Sequence, residues 1–355
     1  MVRVAIDTNG LYTTQAGASR YIRGLIRGLR SLTLPDFDFS EVAWPVANFS
    51  FQQPQRTLKT LYRELFWAKL IGPRLISKRR PAVFHSTANC LVVPPLGVKH
   101  VATLHDLALL RHPERFRPWH KWSTRKSLER LHRTDRIICI SRFTADEAMA
   151  LLNLPPQKLE VVYNGCEFHP DEGLPDEQPP SSRVPGEFFL FVGSLEPGKN
   201  LSLLKHVYSL AEKDSVTLPP LVVVGARWSG VATEGQPPAD WLYLGRQPDA
   251  VLVYLFRRAL ALVFPSKYEG FGLPVAEAMA LGCPVICSPV ASLPEVGGKA
   301  AIFAELNAGA YLAAMQTITR DAQLREEVAR RGLQQAAQFS WKRCAQETLQ
   351  IYQEA

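Results

Sequence analysis

Nowhere in the 355 residues is there a run of about 18 uninterrupted apolar residues, the least that a membrane-crossing helix requires. A transmembrane span is therefore not expected. The six cysteines, Cys90, Cys139, Cys166, Cys283, Cys287 and Cys344, are scattered through apolar or loop contexts. No leader-like segment precedes the first apolar run, so a reducing cytoplasm is the expected compartment. Cys283 and Cys287 frame "CPVIC", but two thiols on one short strand lack the other ligands of a zinc site, and core packing is expected of them. "PDFDF" carries Asp36 and Asp38 in an Asp-x-Asp pattern; two carboxylates alone hold a divalent cation poorly, and a surface loop is expected there. No metal site and no cofactor are expected. The sequence also lacks a recognised nucleic-acid motif or a regular interleaving of basic and aromatic residues, so nucleic acid is not an expected partner.

What is present is enough apolar residue, 46%, for two ordinary domains. Charge is divided unevenly between them. Residues 1–170 hold 25 Lys and Arg against 13 Asp and Glu, and the remainder hold 16 against 20. The basic run Lys78, Arg79, Arg80 and the stretch 111–136 suit an anionic membrane face or a phosphorylated acceptor, with a solvated basic surface as the equal alternative.

Short apolar runs alternate with helix-compatible segments. "MVRVAID" leads through a glycine loop into "AGASRYIRGLIRGLRSL", where Tyr21, Ile22, Leu25, Ile26 and Leu29 recur at helical spacing. Further strands are expected at "AVFHS", "HVATLHD", "RIICISR" and "LEVVYNG", with helices over 119–131 and 142–152. Residues 171–187, rich in proline and charge, read as a linker. The alternation then restarts with "FFLFVGS", "PLVVVGA", "WLYLG", "ALVFPS" and "CPVICSP", with helices over 201–213, 250–259, 274–281 and 322–337. This predicts an α/β protein of two doubly wound, Rossmann-like domains. Residues 1–170 with a terminal helix at 340–355 form the first, and 188–339 the second. Two such domains facing each other would create a cleft for a two-part substrate.

In "FPSKYEGFGLPVAEAMALGCPVI", residues 264–286, a buried strand ends in a loop with Glu269, Gly270, Phe271 and Gly272, and a helix begins near Pro274. Backbone amides from Phe271 to Leu273 would face an anion or sugar hydroxyls. Glu269 and Glu277 are eight positions apart, one in the loop and one in the helix, so they need not share a helical face and are placed to bracket one ligand. In "FLFVGSLEPGKNLSLL" the strand feeds Gly193, Glu196, Gly198 and Lys199 before a helix capped by Asn200 or Ser202. Lys199 is a point charge placed for phosphate. In "TLHDLALL", His105 and Asp106 lie at a strand end, where ligand-facing groups collect; Asp106 either orients His105 or caps the next segment. Asp7, at the end of the first strand, is as well suited to a turn as to a ligand.

These segments resemble the family 4 retaining glycosyltransferases of GT-B fold. Glu269 to Glu277 matches the family's Glu-x7-Glu signature, "VGSLEPGKN" its Glu-Pro-Arg-Lys segment with Gly198 in place of arginine, and "TQAGASRY" its glycine-rich loop with Ala16-Gly17 in place of two glycines. "HDL", "SRF" around Ser141 and Phe143, "NGC" at Asn164 and Gly165, "YLGRQPD" and the closing "FSWKRCAQETLQIY" have counterparts as well. The resemblance implies a metal-independent transferase that uses a nucleotide diphosphate sugar as donor substrate. It places His105, Lys199 and Glu269 at the reacting sugar and its phosphates, and Gly17, Ser194, Arg246, Gly270, Phe271, Gly272, Leu273 and Glu277 around the donor. The pattern is similar to bacterial mannosyltransferases of polysaccharide assembly. GDP-mannose is therefore the expected donor and a glycan or lipid-linked molecule the expected acceptor, with the protein cytoplasmic or peripheral at the inner membrane face. A nucleotide-sugar epimerase of the same fold and a non-catalytic sugar-binding protein are the alternatives.

Overall fold

A computed structural model describes residues 1–13, 17–46, 53–88, 90–116, 118–168, 184–226, 238 and 241–355. The chain divides into two compact units, 1–165 with 340–355, and 166–339. Most of the expected linker, 171–183, lies outside the described residues.

The first unit is built on a six-stranded parallel sheet of β1 (Val2–Asp7), β2 (Phe37–Val42), β3 (Val83–Ser86), β4 (Lys99–Leu104), β5 (Arg136–Cys139) and β6 (Leu159–Val161), in the order β2-β1-β3-β4-β5-β6. The second is also parallel, with β7 (Phe189–Val192), β8 (Leu221–Val224), β9 (Leu242–Gly245), β10 (Ala261–Phe264), β11 (Val285–Cys287) and β12 (Ile302–Phe303) in the order β12-β11-β10-β7-β8-β9. β8 and β10 of the second sheet are unbroken apolar runs, as parallel strands covered on both faces are, whereas β3 of the first carries the buried polar residues His85 and Ser86. In each unit the strand order reverses once, between β1 and β3 and between β7 and β10. Those reversals are where ligands of open α/β sheets bind.

Helices expected from periodicity occur at Leu201–Lys213, Pro118–Leu131, Arg142–Leu152, Asp249–Arg258, Leu273–Ala280 and Ala322–Ala336. Ser141 caps the helix Arg142–Leu152 by accepting from Thr144 N at 3.0 Å, a structural duty for a residue of the "SRF" segment. Two expectations fail. Asp38 is not in a loop but in β2, whose Phe37–Val42 pairs in register with Val2–Asp7. Asn200 does not cap with its side chain: it is left-handed at φ 57°, and the preceding turn Pro197–Lys199 is capped instead by Glu196, which accepts from Gly198 N at 2.8 Å. A helical stretch over 54–79, wound as a π-helix from Arg63 to Ile71, and the helix Ala308–Arg320 were not foreseen.

The core of the first unit packs Val4, Ile6, Tyr21, Ile22 and Leu25 against Trp341, Leu349 and Tyr352 of the terminal helix Trp341–Glu354. Contact between this helix and Gly17–Arg30 is close because Gly24 and Gly28 present no side chain. A Cβ on Gly28 would lie 2.2 Å from Trp341 O, and one on Gly24 would lie 2.2 Å from the Trp341 ring. On an exposed helix Gly→Ala stabilises by about 1 kcal/mol. Here Gly28→Ala is expected to lower stability by roughly 1–3 kcal/mol through overpacking, read as a reduced urea midpoint. A raised midpoint would contradict this packing.

Candidate active site

In the second unit, β7 and β10 are neighbours whose crossovers leave in opposite directions, so the loops at their carboxyl ends meet. The β7 loop supplies half-buried Gly193 and Ser194, buried Glu196, and Lys199 at the end of its single turn. From the β10 loop comes Glu269. Lys199 Nζ forms an ion pair with Glu269 Oε1, and Ser266 Oγ donates to the same oxygen at 2.6 Å. The backbone joins the loops as well, since Lys267 N donates to Gly198 O at 2.9 Å. The ammonium also stands 5.4 Å from the centre of the Phe264 ring. Beside this pair β8 approaches closely: Gly225 has φ 151°, and a Cβ there would stand 1.7 Å from Gly193 O. No side chain fits between these strand ends.

After Glu269, whose carbonyl accepts from Ser292 Oγ at 3.0 Å, the chain passes through buried Gly270 and Phe271. The Phe271 ring packs edge to face on Phe339, 5.3 Å between centroids. Gly272 then turns left-handed at φ 92°, where a Cβ would meet Leu293 at 2.6 Å, and Leu273 opens the helix Leu273–Ala280 without a side-chain cap. The positive end of that helix follows directly on the Lys199–Glu269 pair. Glu277 is buried on the same helix, not a solvated surface charge. Arg246 is exposed just beyond β9, two strands from β7. The structure thus joins Lys199 and Glu269 directly, with Gly270 to Leu273 contiguous in the same loop, whereas Arg246 marks the far side of the sheet edge.

The first unit has its own strand-end cluster. Asp7 is buried at the end of β1 and accepts from Asn9 N and Asn9 Nδ2, both at 2.8 Å, so it shapes a turn. Thr87, after β3, donates to Asp7 O, and Thr87 O is 2.8 Å from His105 Nε2. The His105 ring meets Tyr21 edge-on at 5.0 Å, and Tyr21 OH lies 2.9 Å from Thr103 Oγ1. Burial lowers the His105 pKa and keeps its ring neutral. Asp106 does not hold His105; it caps Ala108 N at 2.9 Å. Gly17 is exposed at the start of Gly17–Arg30, while Thr14, Gln15 and Ala16 lie outside the described residues. A cavity of about 170 Å³ opens beside Asp7 and Asn9, lined also by Arg63, Lys69, Trp122 and Arg130.

Two family models cover most of the chain: "Glycosyltransferase Family 4" matches residues 16–168 and "Glycosyl transferases group 1" matches 176–335. O-antigen chain mannosyltransferase B of Escherichia coli is 36% identical over 267 residues, covering 71% of this chain and 69% of that protein. The chain belongs to the family 4 glycosyltransferases. The serotype-specific mannosyltransferase WbdA of E. coli is 28% identical over 97% of this transferase, which spans only 44% of WbdA. Sucrose-phosphate synthase from Thermosynechococcus elongatus has the same fold, with a TM-score of 0.74 at 17% identity over 100% of this chain and 99% of that one. This transferase therefore has the GT-B fold, with two Rossmann-like domains.

Sequence reasoning passed over Ser266 and Ser292, which position Glu269, and Gly225, whose missing side chain admits the Gly193 carbonyl. The spacing of Ser266 three residues before Glu269 within a strand-end loop was a usable signal. In the first unit the Asp7 carboxyl is raised to about 6, chiefly by burial, against the lowering hydrogen bonds from Asn9. A raised folded-state value means that stability is full below the ordinary value of 3.8 and is lost as pH rises through about 6. Relative to Asp7→Asn, the wild-type protein is therefore expected to lose stability over that window, by on the order of 2–3 kcal/mol. Denaturant melts at stepped pH measure the difference. Parallel curves for the two proteins would refute the assignment.

Proposed function

We propose that this transferase moves mannose from GDP-mannose to a glycan or lipid-linked acceptor in polysaccharide assembly, with retention of anomeric configuration and without a metal ion, peripherally at the inner face of the membrane. The observation that carries the reading is the Lys199–Glu269 pair at the β7/β10 reversal, beside the amino end of Leu273–Ala280. The mannosyl part is supported by the names of the relatives, mannosyltransferase B and WbdA.

The bond between the anomeric carbon and the diphosphate breaks as the acceptor hydroxyl oxygen bonds to that carbon, and the hydroxyl proton passes to the leaving phosphate. Positive charge grows on the sugar and negative charge on the leaving group in the transition state. Lys199 and the helix end would stabilise that developing negative charge in place of a cation. Glu269, itself held by Ser266, keeps the ammonium in place, so little reorganisation would accompany donor binding. Glu269 would then border the sugar, and Glu277 would accept the ribose hydroxyls from its buried position. Ser194 and Arg246 would contribute from the loops after β7 and β9.

The test is donor turnover by purified variants checked for folding. Lys199→Ala is expected to lower kcat by roughly a hundredfold or more, whereas Glu277→Ala is expected mainly to raise the donor KM. Near-normal kcat in Lys199→Ala, or an unchanged donor KM in Glu277→Ala, would remove the corresponding role. A chelator should leave turnover unchanged. Exchange of the sugar's epimers without release of GDP would favour an epimerase, and tight donor binding without turnover a binding protein.

A further inference from the structure

The helical stretch over 54–79 is apolar on two opposite faces. One face, with Trp67, Ala68 and Ile76, packs with Val42, Phe84 and Val92 in the first unit's core. A helix that covers a core normally turns charged and polar residues outward. Here the outward residues are Leu58, 67% exposed, Tyr62, Leu65, Phe66, 53% exposed, and Leu70, 52% exposed. Tyr62 and Phe66 stack on each other at 5.6 Å, forming a continuous aromatic surface. Val92 packs on Gly72, and the chain after it carries the exposed Val93 and Leu96. Exposed Trp122 shares a cavity wall with Leu65.

Residues 53–80 contain eight Lys and Arg against one acidic residue, Glu64, and Glu64 is paired with Arg63 at 2.8 Å. Arg56, Lys59, Lys69, Arg74 and the run Lys78 to Arg80 are exposed around the apolar residues. This interleaving separates a lipid surface from a protein partner. Cores of protein interfaces are depleted in lysine, whereas helices that lie in a bilayer interface pair aromatic and leucine side chains with a basic border. Exposed apolar side chains grouped in this way mark an interaction surface, and the charge around them complements anionic headgroups.

We infer that the face of Leu58, Tyr62, Phe66 and Leu70 docks on an anionic bilayer, its apolar side chains entering the headgroup region and Arg56, Lys59 and Arg74 contacting lipid phosphates. No helix among the described residues is long and apolar enough to cross a membrane, so the contact is interfacial. The inference rests on the peripheral placement in the proposed function and gives it a surface; the cavity beside Asp7 lies next to this face, where it would meet an acceptor carried by lipid.

The test is sedimentation of the full chain with vesicles of phosphatidylcholine, with and without phosphatidylglycerol. Binding is expected only with phosphatidylglycerol and should weaken with salt. Phe66→Ser with Leu70→Ser, and separately Arg56→Glu with Lys59→Glu, should each lower the partition coefficient by about tenfold or more. Turnover on a soluble acceptor should stay within about twofold, since none of these residues is placed at the donor. The conservative Phe66→Trp provides a second readout: its added fluorescence should be quenched by lipids with brominated chains. Vesicle binding that neither pair changes, or added fluorescence in Phe66→Trp that brominated lipid leaves alone, overturns the inference. So does absence of vesicle binding with dimers that Phe66→Ser and Leu70→Ser dissociate, which would make the face a contact between copies. Vesicle binding without mannose transfer would leave this inference standing and defeat the proposed function instead.

Discussion

Two charges seventy residues apart in the chain, Lys199 and Glu269, meet because the sheet of the second unit reverses its strand order between β7 and β10. The pair is only partly open to water, with 18% of the lysine and 11% of the glutamate side chain exposed. At such a depth neither charge is well placed alone, and deleting one partner costs more than the pair contributes. Much of the surrounding geometry follows from keeping the two together. Ser266 supplies the second hydrogen bond to Glu269, Ser292 fixes its carbonyl, and Glu196 fixes the turn that aims Lys199. Glycine at 225 lets the Gly193 carbonyl occupy space that a side chain would take, and glycine at 272 supplies the left-handed turn beside the Leu293 side chain. A diphosphate arriving here would find a cation already oriented and a helix end beside it, which is the condition under which electrostatic stabilisation needs little rearrangement.

The first unit solves a different problem, that of holding neutral groups in a dry interior. Tyr352 OH, from the terminal helix, lies 2.6 Å from His85 Nδ1, and His85 Nε2 lies 2.8 Å from Thr103 Oγ1, which in turn meets Tyr21 beneath His105. Burial and two neighbouring histidines lower the His85 pKa to about 3, so the chain of hydrogen bonds is uncharged near neutrality. A charged relay would have to recover a large desolvation cost; a neutral one needs only complete pairing. The terminal helix thus does more than cover apolar residues. Its close seat against Gly24 and Gly28 brings Tyr352 to the sheet and orders the residues behind His105.

How far the chain could be read in advance follows the same physics. Central strands such as "LVVV" and "ALVF" declare themselves because parallel strands covered on both faces are continuously apolar, and the helix Leu201–Lys213 because its core-facing residues keep a 3.6-residue period. Lys199 and Glu269 each stood out beside a strand end, but no local pattern says that their loops touch; sheet order alone decides that. Asn200 misled for a related reason. Asparagine favours both helix caps and left-handed turns, and here the required chain reversal selected the second. β2 was hidden by the alternation of Phe37, Asp38 and Phe39, whose acidic residue suggested a loop although an edge strand tolerates a solvated carboxylate.

The stretch 54–79 escaped for the most informative reason. Periodicity identifies a helix by contrast between a buried apolar stripe and a polar remainder, and this segment has little contrast: Trp67 and Ile76 face the core while Phe66 and Leu70 face outward. Its π-helical middle, Arg63–Ile71, further shifts the spacing away from that of an α-helix. What obscures the pattern is therefore the same set of residues that makes the surface unusual. If water were the only neighbour of this face, Leu58, Phe66 and Leu70 would contribute nothing to folding that polar residues could not match. The inferred bilayer contact would give them a role, since the basic side chains around them suit an environment that is apolar beneath and anionic at its edge.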